Sequence, residues 1–130
     1  MYVRIAITTI LAFNTVALAQ SNIDDDHKYA WTENCGWTNW RDADGTNAGV
    51  IVDESFLSGY IWAENVGWIN VGDGSPADGE HYANSDGSDY GVNIDIDTGD
   101  LSGLAWGENI GWINFETSSL GARISQMKCS

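Results

Sequence analysis

The stretch "AWGENIGWINF" at 105–115 occurs twice more, as "IWAENVGWINV" at 61–71 and "AWTENCGWTNW" at 30–40. Each copy reads small or aliphatic, Trp, any residue, Glu-Asn, any residue, Gly-Trp, any residue, Asn, then a large apolar residue. The similarity extends upstream, where "GVNIDIDTGDLSGLAW" (91–106) aligns with "GVIVDESFLSGYIW" (49–62) after a two-residue insertion. These runs are rich in Val, Ile and aromatics and are broken by Gly, Asn and Asp, the punctuation of short strands and tight turns. A full unit therefore reads as three strands. Strand a is "GVIVD" or "GVNIDI", strand b is "FLSGYIW" or "DLSGLAW", and strand c is "GWINV" or "GWINF". Acidic or Thr-Gly residues turn a into b, and Glu-Asn-x-Gly turns b into c, since Asn tolerates and Gly freely adopts left-handed backbone.

Two Trp bracket every Glu-Asn-x-Gly turn, at 31 and 37, 62 and 68, and 106 and 112. With a five-residue loop they would face each other across the hairpin, and with a four-residue loop they would lie on opposite faces; the sequence leaves both open. The simplest expectation is that the pairs build the core, because stacked aromatics supply both area and specific contact. The competing reading leaves one Trp per unit exposed as a stacking surface for sugar rings, with Trp31, Trp62 and Trp106 as candidates.

The first 19 residues have the form of a secretory signal: "MYVR", an apolar run, and Ala17-Leu18-Ala19 at the cleavage position. Removing them leaves 111 residues of 130, a single domain at 20–130 with no transmembrane segment expected in the mature chain. Losing Arg4 takes the five basic residues to four against nineteen acidic, a mature net charge of −15. That charge disfavours nucleic acid and anionic lipid as partners. The only cysteines are Cys35 and Cys129. An even count in an exported chain points to one disulfide rather than a metal site. No haem, phosphate-loop, HExxH or GxSxG signature is present, and the expectation is a protein that is not an enzyme.

Acidic residues cluster in "DADGTN" (42–47) and "DIDTGD" (95–100), where carboxylates alternate around a Gly. This spacing suits hard cations, so Asp42, Asp44, Asp95, Asp97 and Asp100 are candidate calcium ligands, although neither loop is an EF-hand. The spacing between Trp31 and Trp62 is 31 residues, but between Trp62 and Trp106 it is 44. The extra length lies in "GDGSPADGEHYANSDGSDYG" (72–91). A loop interrupting a regular scaffold is a candidate binding site, and this one offers Tyr82 and Tyr90 for stacking.

The combination G-x-[AI]-W-x-E-N-x-G-W-I-N-[FV] after "GVxIDxxTGxLSG" resembles a Trp-rich repeat of exported bacterial surface proteins, often in tandem copies. Residues 91–115 match it closely, 49–71 well, and 29–40 in its second half. The resemblance implies a secreted or cell-surface, β-rich protein and brings no activity or catalytic residues.

The expected fold is all-β: three quasi-equivalent three-stranded antiparallel units at about 27–48, 49–90 and 91–120. The first unit lacks strand a, while "GARISQMKCS" (121–130) begins like a spare one. A closing strand at 121–129 is therefore expected to complete the first unit, with Cys129 bonded to Cys35, within one chain or between chains. The function these features suggest is a non-enzymatic structural or adhesion protein outside the cell, self-associating by C-terminal strand exchange. The alternative is a carbohydrate-binding module that grips extracellular polysaccharide with its exposed Trp and the 72–91 loop.

Overall fold

Alternation of apolar and polar residues decides the strand faces. The computed structural model describes residues 20–116, so the expected signal at 1–19 and the expected closing strand at 121–129 lie outside the described residues. Eight strands form: β1 (Tyr29–Thr32), β2 (Gly36–Asn39), β3 (Val50–Val52), β4 (Leu57–Ala63), β5 (Gly67–Gly72), β6 (Val92–Ile94), β7 (Leu101–Gly107) and β8 (Gly111–Asn114). A short 3-10 turn at Asp25–His27 precedes them. The protein is all-β, as the repeats predict. All pairings between strands are antiparallel and run through one curled sheet in the order β1-β2-β4-β5-β7-β6, with β3 also on β4 and β8 also on β7.

The repeated sequence produces a repeated register. Trp31 pairs with Trp37, Trp62 with Trp68, and Trp106 with Trp112. Neighbouring hairpins join in one way as well: Thr38 opposite Ala63 and Asn39 opposite Trp62, then Ile69 opposite Gly107 and Asn70 opposite Trp106. Strand a also recurs, with Val50 opposite Gly59 and Val92 opposite Gly103. Gly36, Gly67 and Gly111, which end the three b–c turns, all have φ between +73° and +83°. A side chain would be strained there.

The core lies on one face of the sheet. Ile61, Ile69, Ile113, Val50, Val71 and Val92 are fully buried and belong to one cluster with Ala63, Ala105 and Phe115. The expectation that the tryptophan pairs form the core is corrected here. In Trp-Ile-Asn-Phe the Ile and Phe point inward, so the period of two sends Trp and Asn to the outer face. The buried tryptophan is the seventh, Trp40, at 6% exposure, where the other copies have Val71 and Phe115. Its indole N–H donates to Thr38 Oγ1 at 3.0 Å, and that hydroxyl donates to Ala30 O at 2.9 Å. Thr38 stands where the other copies have Ile, and this chain of bonds satisfies its buried oxygen.

Candidate functional site

The outer face of the sheet carries the aromatic pairs. Trp31 and Trp37 have ring centroids 5.4 Å apart, Trp62 and Trp68 5.0 Å, and Trp106 and Trp112 4.9 Å, all edge-to-face. Five of the six are between 38% and 56% exposed, and Trp68 is half-buried. Tyr60 adds an edge-to-face contact to Trp68 at 6.4 Å, and Tyr90 adds one to Trp112 at 5.0 Å. The result is a band of indole and phenol rings crossing the strands on one face. Water-facing aromatics on this scale mark an interaction surface more strongly than scattered exposed residues do.

Polar side chains interleave with the rings because they share the outward phase of the strands. Asn39 lies opposite Trp62, and Asn70 opposite both Tyr60 and Trp106. Beside Tyr60 and Trp68 the surface sinks into a groove of about 680 Å³ whose walls include Asn39, Arg41, Asn70 and Asp73. Arg41 is fixed by a 2.7 Å bond from Nη1 to Ile23 O, and its buried Nε has no hydrogen-bond partner among the described residues. An aromatic floor with a few fixed donors and acceptors is the usual composition of a small-molecule or glycan site.

The repeated Glu-Asn does more than turn the chain. Glu64 N–H donates to Trp37 O at 3.0 Å, and its carboxylate accepts from Trp37 N–H at 3.2 Å. Glu108 clasps Trp68 in the same way, at 3.2 and 3.3 Å. Asn109 Nδ2 donates to Val66 O at 3.0 Å, while Asn65 lies over Gly36 as Asn109 lies over Gly67. A Cβ on Gly36 or Gly67 would come within 2.8 Å of those amides. Each hairpin tip thus holds the tip before it, which explains why both the acid and the glycine recur.

The remaining expected residues separate. Tyr82 is 3% exposed, which corrects its assignment as a stacking surface. Its hydroxyl donates to Leu57 O and accepts from Gly74 N–H, each at 2.9 Å, and its ring meets Phe56 edge-to-face at 5.5 Å. Burial pushes its phenol up to about 12. Tyr82 is thus a pillar under the 72–91 loop, whereas Tyr90 does join the aromatic band. Asp42 is bound by Lys28 at 2.6 Å, which holds its carboxyl below the usual range. Asp44 accepts from Thr46, and Asp95 from the backbone of Asp97 and Thr98. Among the described residues no three Asp, Glu, His or Cys side chains gather as a metal site would require. The structure therefore does not bring the candidate calcium ligands Asp42, Asp44, Asp95, Asp97 and Asp100 together around one point. Cys35 is fully buried at a hairpin tip, and Cys129 lies outside the described residues.

Sequence reasoning missed Trp37, Trp68, Trp112, Tyr60, Asn70 and Arg41 as members of this surface. The signal that finds most of them is the strict alternation of Trp-Ile-Asn. No protein-family model, curated protein or solved structure matches the chain.

Proposed function

We propose that this is a non-enzymatic extracellular adhesion protein whose outer aromatic face binds neutral polysaccharide. The observation that carries the reading is the outward orientation of six Trp in three paired sets, with Asn39 and Asn70 between them and Arg41 in the adjoining groove. The apolar C–H faces of pyranose rings pack on indole, and their hydroxyls need the interleaved donors and acceptors that the Asn and Arg side chains supply. Neighbouring pairs lie two strands apart, about 10 Å at ordinary strand spacing. That repeat suits a polymer gripped at several sugars rather than a single monosaccharide. The formal charge of −14 works against anionic polysaccharides.

The signal-like form of residues 1–19 supports an extracellular location. The burial of Cys35 supports a disulfide to Cys129, since an enclosed thiol in an oxidising compartment is well placed to stay paired. The test is retention of the purified protein on insoluble neutral polysaccharides at moderate salt. Retention that competes with soluble oligosaccharide supports the reading. Passage through every neutral matrix overturns it.

A further inference from the structure

We propose that a second copy of the chain docks head to tail, its β1 continuing the sheet beyond β8. The interface is already present twice within the molecule. A c strand meets the following b strand through two residue pairs, β2 on β4 and β5 on β7, and a Glu from the following hairpin holds the backbone of the preceding Trp on both N–H and C=O. Among the described residues β8 pairs only with β7, and β1 only with β2.

The two edges, unpaired among the described residues, are complementary because they come from the same repeat. Among those residues no b strand follows the c strand β8, and no c strand precedes the b strand β1. Phe115 N–H donates to Gly103 O, so by alternation the N–H groups of Trp112 and Asn114 point away from β7. At Gly36 and Gly67 the next hairpin's amide and carboxylate occupy the space over the glycine. At Gly111 the nearest described atom to an added Cβ is on Trp106, 3.9 Å away and within the same hairpin. Glu33 is the repeat equivalent of Glu64 and Glu108.

The internal register then dictates the external one. Ile113 pairs with Thr32 of the second copy and Asn114 with its Trp31, while its Glu33 donates N–H to Trp112 O and accepts from Trp112 N–H. Such a contact is heterologous, so it repeats into chains and extends the aromatic band from one subunit to the next.

The experiment is sedimentation of the secreted chain over a wide concentration range, with two variants. Glu33→Ala removes the clasp from one edge, and Asn114→Pro removes an outward N–H from the other without touching the ladder to β7. Circular dichroism confirms that each variant is folded. Wild type should form concentration-dependent species longer than dimers, and each variant should associate about tenfold or more weakly, as the loss of a charge-assisted or backbone bond implies. A mixture of the two variants retains one intact pair of edges, so it should form dimers and stop there. A wild type that is monomeric throughout, assembly indifferent to both variants, or a mixture that stays monomeric or grows beyond dimers would overturn the proposal.

Discussion

The Glu64 carboxylate accepts a hydrogen bond from the backbone N–H of Trp37, 27 residues earlier, and the N–H of Glu64 returns one to the carbonyl of that same Trp. The pair ties adjacent hairpins at their tips, beside a two-residue ladder and a bond from Asn65 N–H to Cys35 O. Glu64→Ala should therefore lower the unfolding free energy by about 1 kcal/mol, the ordinary contribution of one hydrogen bond. Glu33→Ala should leave the dilute monomer unchanged. Urea titrations of the two variants check both outcomes.

The orientation of the strands predicts an unequal response to loss of tryptophan. Trp40→Ala empties a core position and releases Thr38, and should cost about 3–5 kcal/mol. Trp106→Ala removes an outward ring with one aromatic partner and should cost about 0.5–1.5 kcal/mol. Equal losses in chemical denaturation would show that the outer rings are packed as tightly as the core.

Tyr82 gives the protein an alkaline limit. Its phenol is raised to about 12 by burial, whereas an unfolded chain ionises near 10. The folded state holds the proton more tightly, so this contribution is complete below about pH 10 and is lost as pH rises through about 12. Tyr82→Phe should remove that slope while lowering stability at neutral pH by about 1–3 kcal/mol, because Gly74 N–H and Leu57 O lose their partner. Thermal midpoints from pH 7 to 11 for both proteins measure the effect.

Much of this architecture can be read directly from the sequence, because turn chemistry and a period of two are local. Gly36, Gly67 and Gly111 mark the turns, and the hairpins they close set each Trp pair directly opposite one another. The exposure of the pairs is harder to read, because the size of Trp favours burial while its phase against the fully buried Ile69 and Ile113 sends it outward. The role of Glu64 and Glu108 in holding the preceding hairpin was hidden for another reason. A residue that bonds a segment 27 or 40 positions away leaves no trace in its own turn. Tyr82 likewise carries no local sign that its hydroxyl closes a gap between Gly74 and Leu57.

The central claim, that the outer rings bind glycan rather than hold the fold, is tested most directly by a triple variant, Trp37→Ala, Trp68→Ala and Trp112→Ala. Its binding to a neutral polysaccharide that retains the wild type is measured by affinity electrophoresis, with circular dichroism recorded on the same sample. The account predicts a folded protein whose retardation by the polysaccharide is lost. A folded triple variant retarded as strongly as the wild type would contradict it.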